Sequence, residues 1–183
     1  MNFELLLRQL IEDLNREGVR YGVIGGFALG ALGVPRGTMD FDLLVHREDL
    51  VRMHDILTAL GYERVLMTEN VSHYRHPDSE WGSVDLLHAF RAHSLAMLTR
   101  TKGHAVFGGS ASLHVLESED IIGLKIQAMA NDPTRRARET ADIESLMAAH
   151  GAGLDWPRVL QFFELFGLEA EGHELERQYG PAV

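Results

Sequence analysis

The 183-residue chain contains no cysteine. That absence removes disulfides, thiolate zinc sites and cysteine nucleophiles together, and it fits a reducing compartment. Basic residues are few: 17 Lys and Arg stand against 27 Asp and Glu, for a formal net charge of −10. Coating nucleic acid non-specifically relies on Lys and Arg to neutralise phosphates, so that class is disfavoured and only a local basic patch stays open. Long apolar runs are missing as well. Glu4, Arg8, Glu12 and Asp13 interrupt the N-terminus where a signal-peptide core would lie. No other stretch approaches the ~20 apolar residues that span a bilayer. A cytoplasmic protein with no membrane partner is expected. The remaining composition, 45% apolar and 24% charged, is ordinary for a globular protein, and the length suits one domain with room for a helical appendage.

Phe3, Leu6, Leu7, Leu10, Ile11 and Leu14 recur at helical spacing, and Gly18 is placed to end that helix. "VRYGVIG" reads as a strand, followed by Gly25-Gly26, a short apolar helix over residues 27–32, the breaker "GVPRG" and the strand "MDFDLLV". Leu50, Met53, Ile56, Leu57 and Leu60 mark an amphipathic helix. "YERVLMT" and "SHYRHP" read as an antiparallel pair, "GSVDLLHAF" as a further strand, and "GHAVFGGSASLHVLES" as one or two short edge strands around a glycine turn. Beyond Ser118 the pattern is helical, with "SEDIIGLKIQAMAND", "RRARETADIESLMAAH" and "DWPRVLQFFELF" as separate helices. These elements predict an α/β core over residues 1–117 and a helical region over 118–183 packed on it.

One strand raises a chemical question. Side chains alternate across a strand, so Asp40 and Asp42 project to one face while Met39, Phe41 and Leu43 project to the other. Their Cα atoms lie about 6 to 7 Å apart, and carboxylates that near repel unless a cation sits between them. Magnesium or manganese, which take oxygen ligands, would meet that need. An isolated Asp-x-Asp is more often the wet face of a half-exposed strand. Here Gly25-Gly26 precedes it at a strand-to-helix junction, where glycine lets backbone amides approach an anion closely. Asp85, between Val84 and Leu86 in another apolar strand, supplies a third carboxylate that only the fold can bring to the pair.

Ile24, Gly25 and Gly26, then Asp40, Phe41, Asp42 and Leu43, and later Asp85 together resemble the DNA polymerase β-type nucleotidyltransferase superfamily. The resemblance covers residues 19–90. It implies an α/β (α+β) fold with a mixed, mostly antiparallel sheet flanked by helices, two divalent metals and a nucleoside triphosphate substrate. Gly25 and Gly26 would hold the triphosphate. Asp40, Asp42 and Asp85 would be catalytic and ligate magnesium or manganese, with Asp85 also helping to deprotonate the acceptor hydroxyl. Arg36 and Thr38, in "RGTMDFD", are candidates to reach phosphate oxygens.

Within the superfamily, the stretch from Gly25 to Val45 is similar both to AbiEii-type toxin nucleotidyltransferases and to small antibiotic-modifying ones. Lys125 falls in the apolar arc of its helix, where an unpartnered ammonium is costly. With Asp142 on the next helix it resembles the AbiEii-type pattern, which implies nucleotide-binding roles for both. The toxin reading adds an RNA 3′ end or protein acceptor and a cognate antitoxin as partners. The alternatives are a small-molecule acceptor, or a nucleotide-binding regulator with little turnover. No clear basic motif aligns between Asp42 and Asp85, where Arg75 is the nearest candidate. The ten histidines, His73 and His76 among them, lack metal-ligand spacing and read as surface residues or supports for other side chains.

Overall fold

The computed structural model describes residues 3–38, 40–109 and 111–181. Met39, placed opposite the aspartates in the sequence reading, and Ser110, in the glycine-rich turn, lie outside the described residues. The elements run α1 (Phe3–Arg16), β1 (Tyr21–Val23), α2 (Gly25–Ala31), β2 (Asp40–His46), α3 (Leu50–Ala59), β3 (Glu63–Met67), β4 (Val71–Arg75) and β5 (Ser83–Ala89). They continue with α4 (Ala92–Thr99), β6 (Lys102–Val106), β7 (Ala111–Val115), α5 (Ser118–Asn131), α6 (Arg136–His150), α7 (Trp156–Leu165) and α8 (Glu169–Tyr179). Two compact units emerge, Met1–Ala31 with Pro35–Leu116 and Leu32–Val34 with Glu117–Val183.

The first unit is a seven-stranded mixed sheet in the order β3-β4-β5-β2-β1-β7-β6, with helices packed against it. Most neighbours are antiparallel, but β2 pairs with β5 and β1 with β7 in parallel. The C-terminal glycine-rich stretch departs from the expected edge strands. β6 is an edge, whereas β7 lies inside the sheet between β1 and β6. Its Val115 is fully buried beside Val23, and that burial gives the short strand its interior place. Helix α4 was not anticipated, because "AHSLAMLT" is too short to show a decisive period.

Burial in β2 follows the pleat only near its start. Phe41 and Leu43 are buried while Asp40 is exposed and Asp42 half-buried, but Leu44 and Val45 are both buried further along. Phe27 of α2 meets Phe41 edge-on, fixing the helix that follows the glycine pair against β2. Asp49, fully buried at the start of α3, accepts hydrogen bonds from the Arg20 backbone at 3.0 Å and guanidinium at 2.7 Å, and from Arg52. Burial alone would raise the Asp49 carboxyl. The hydrogen bonds from Arg20 and Arg52 overcome it and hold the group well below the usual carboxylate range.

On β5, His88 is buried with a full set of partners. Its Nδ1 donates to the Glu69 carbonyl at 3.0 Å, so Nε2 accepts from the Ser72 hydroxyl at 2.8 Å. Burial lowers its tendency to take a second proton. Because the folded value lies below the unfolded value of 6.5, the unfolded chain protonates first on acidification. Stability is therefore fully present above that value and is lost as pH falls through the folded one. Melting temperatures of the wild type are expected to drop between pH 7.5 and pH 5.5, and His88→Gln is expected to flatten that slope. An unchanged slope in the variant would assign the acid sensitivity to another group.

In the second unit, α7 is covered on two sides. Phe162 closes on Gly123 of α5 and Phe163 on Gly172 of α8, where in each case a Cβ would come within 3 Å of a ring. Val159 and Phe163 are fully buried, so the apolar run "VLQFFELF" is spent largely inside this unit. Among the described residues, no helix is long and apolar enough to cross a membrane.

Candidate active site

Sheet register brings the three aspartates together. Asp42 on β2 is the parallel partner of Asp85 on β5, and Asp40 is the partner of Ser83. Adjacent strands lie about 4.8 Å apart, and partners in register project to the same face, so one patch of sheet carries all three carboxylates. Across the other side of β5, His73 and Arg75 of β4 are the antiparallel partners of Asp85 and Ser83. They therefore share that face.

Each outer carboxylate has a donor at one oxygen. The Ser83 hydroxyl donates to Asp40 Oδ1. His73 Nδ1 lies 2.8 Å from Asp85 Oδ1, and because a carboxylate only accepts, the imidazole donates. The Arg75 guanidinium stands 3.7 Å from the same Oδ1. Ser83 and His73 are the residues that sequence reasoning missed here. The alternation of "SHYRH" around buried Tyr74 was the available signal, but only the β4–β5 register turns it into a contact.

Gly25 and Gly26 sit against this patch. The Ile24 amide donates to the Asp42 carbonyl at 3.0 Å, which draws the end of β1 onto β2. Gly25 has φ +65°, and a Cβ there would stand 2.0 Å from Asp42 Oδ2. Only glycine satisfies both the left-handed backbone and the closeness of the carboxylate. At Gly26 a Cβ would be 2.7 Å from Thr38 Cβ, so Thr38 lies directly over the second glycine. The Thr38 hydroxyl is engaged locally, donating to the Asp40 carbonyl at 3.2 Å. Arg36 is in the same connecting segment, half-buried. We expect Gly25→Ala to reduce nucleotide transfer at least about tenfold and stability by about 1–2 kcal/mol from the left-handed backbone. Wild-type transfer in that variant would show that the carboxylate yields without consequence.

Lys125 and Asp142 meet within the helical unit. Lys125 Nζ, nearly buried, donates to Asp142 Oδ2 at 2.6 Å and to Glu139 Oε2 at 2.9 Å. Arg135 in turn donates to Glu139 Oε1 at 2.6 Å. Burial would raise the Glu139 carboxyl, but the hydrogen bond and charge of Lys125, with those of Arg135, hold it below its ordinary value. Glu139 bridges the two cations, so that with Asp142 the two carboxylates balance Lys125 and Arg135.

Among the described residues, no three His, Asp or Glu side chains are already gathered around one point for a metal ion. Asp40 and Asp85 face Ser83 and His73 instead. The donor set still fits a hard divalent cation, since it consists of carboxylate oxygens on one sheet face with Gly25 kept free of a side chain beside Asp42.

Solved structures share this fold. The antibiotic-resistance factor ANT(2″)-Ia aligns with a TM-score of 0.69 at 16% identity, over 95% of this chain and 96% of that one. An antigenic nucleotidyltransferase-like protein from Paracoccidioides brasiliensis aligns with a TM-score of 0.60 at 17% identity, over 98% and 94% of the two chains. The lincosamide antibiotic adenylyltransferase LnuA aligns with a TM-score of 0.55 at 13% identity, over 78% and 95%. No curated protein matches the sequence. Residues 2–172 match a family described as uncharacterised nucleotidyltransferase, and with the match spanning nearly the whole chain, this protein belongs to that nucleotidyltransferase family.

Proposed function

We propose that the chain transfers a nucleoside monophosphate from a nucleoside triphosphate to a hydroxyl on a small molecule, releasing pyrophosphate. The observation that carries this reading is the parallel register of Asp42 with Asp85, beside a glycine pressed onto the Asp42 carboxylate. Asp40, Asp42 and Asp85 would hold magnesium or manganese. Bound there, the cation offsets phosphate charge and stabilises the attacking and leaving oxygens of an in-line displacement.

The remaining roles fall to the chain's own groups. Gly25 and Gly26 bind the triphosphate through backbone amides, and Arg36 and Thr38 supply further donors to its oxygens. Asp85 takes the proton from the acceptor hydroxyl as that oxygen attacks the α-phosphorus. The bond from the α-phosphorus to the bridging oxygen breaks, and pyrophosphate leaves. A small acceptor is supported by the likeness to an antibiotic-resistance factor and to an antibiotic adenylyltransferase over nearly their whole lengths. One of them has been crystallised with adenylyl-2″-tobramycin.

A second reading is an AbiEii-like toxin that modifies RNA or protein and is restrained by an antitoxin. The direct bond between Lys125 and Asp142, on consecutive helices, supports it, because that pair carries the resemblance to the AbiEii-type pattern. Incubation with α-labelled triphosphates, magnesium and separate pools of hydroxylated small molecules, RNA and protein tests the two. Label in the small-molecule pool supports the first reading. Label confined to RNA or protein, with growth arrest on expression that Asp42→Ala relieves, replaces it with the second.

A further inference from the structure

We infer that His73 is a positioning residue for the transfer, one that makes the two oxygens of Asp85 inequivalent by tying Oδ1 and leaving Oδ2 for the reaction. This rests on the role given above to Asp85. The His73 Nδ1 donates to Oδ1 at 2.8 Å and Arg75 stands 3.7 Å from that same oxygen. Among the described residues, no donor reaches Oδ2. The torsion that swings an aspartate carboxyl is broad and roughly two-fold, so an unheld carboxylate samples several orientations. A donor at one oxygen selects among them. Ser83 stands in the same relation to Asp40, so both outer carboxylates of the patch have one tied oxygen.

The surroundings argue that packing does not require the histidine. His73 is half-exposed, its neighbours Ser72 and Tyr74 supply the buried face of β4, and Asp85 is its hydrogen-bond partner among the described residues. Its polar contact is thus spent on the third carboxylate.

The test compares wild type, His73→Asn, His73→Leu and Asp85→Ala by crystallography and by manganese titration with a non-hydrolysable ATP analogue, followed by paramagnetic resonance. Asparagine offers an amide donor near the position of imidazole Nδ1 and is expected to keep the Asp85 orientation and near-wild-type manganese affinity. Leucine keeps comparable bulk without a donor; the carboxylate is expected to reorient and manganese affinity to fall about 10- to 100-fold. His73→Val, which suits a strand, has the same expectation and serves if the leucine variant does not fold. Equal behaviour of the asparagine and apolar variants, or an unmoved Asp85 in the latter, overturns the inference. Asp85→Ala separates the two levels: wild-type manganese binding there defeats the role given to Asp85. Loss there with none in the leucine variant defeats only the inference about His73.

Discussion

Asp42→Ala and Asp85→Ala are expected to lower nucleotide transfer by about 10³-fold or more while leaving the fold intact. Losing a ligand that stabilises charge in the displacement removes several kcal/mol of transition-state stabilisation, and each 1.36 kcal/mol is tenfold in rate. Neither side chain is part of the apolar core: both are half-buried, on strands anchored by Phe41, Leu43, Val84 and Leu86. Circular dichroism and melting should therefore match the wild type closely, which separates chemistry from folding. Asp42→Asn sharpens the comparison, because the amide retains size and removes charge. Transfer within a factor of a few of wild type in either alanine variant would remove the sheet patch from consideration as the reacting centre.

Lys125→Met is expected to have the largest effect on stability, about 3–5 kcal/mol, since removing one partner of a buried ion pair leaves uncompensated charge. Glu139 and Asp142 would then face each other with little solvent, and only Arg135 would remain on Glu139. On the scale of a protein this size the loss corresponds to a fall of about 10 °C in the melting transition. The pH response gives a second readout. In the wild type, Glu139 is held below its ordinary 4.5, so its stabilisation is present above that value and is lost as pH falls through the folded one. Without the lysine, burial favours the protonated acid, and the variant's deficit against wild type should shrink between pH 7 and pH 5. A constant deficit across that range would mean that packing, not charge, was lost.

The aspartates and glycines proposed for the site were legible as candidates because each sits in a local pattern. Asp40 and Asp42 alternate with apolar residues, Gly25-Gly26 interrupts an apolar run, and Asp85 stands alone in "SVDLLHAF". Helices α1, α3, α5, α6 and α7 were readable from their periodicity for the same reason. What could not be read, beyond the β3–β4 pair, was which strands adjoin. The parallel partnership of β2 with β5 links residues 43 positions apart, and nothing local encodes that register. Hence His73 looked like one of ten scattered histidines, although its register partner is Asp85. Strand β7 looked peripheral for a related reason, since its burial comes from β1, far back in the chain. Strand β3 pairs with β4 as its sequence suggested, and its apolar Val65, Leu66 and Met67 are exposed at the sheet edge.

The parallel pairing of β2 with β5 also bears on when the site comes into being. Helix α3 and the β3–β4 hairpin lie between β2 and β5 along the chain, and such non-local parallel pairing is slow compared with hairpin closure. A folding intermediate with β1 and β2 in place would hold Gly25, Asp40 and Asp42 but lack Asp85. Any ligand that needs all three carboxylates therefore stabilises states in which β5 has joined β2 and none that precede that pairing.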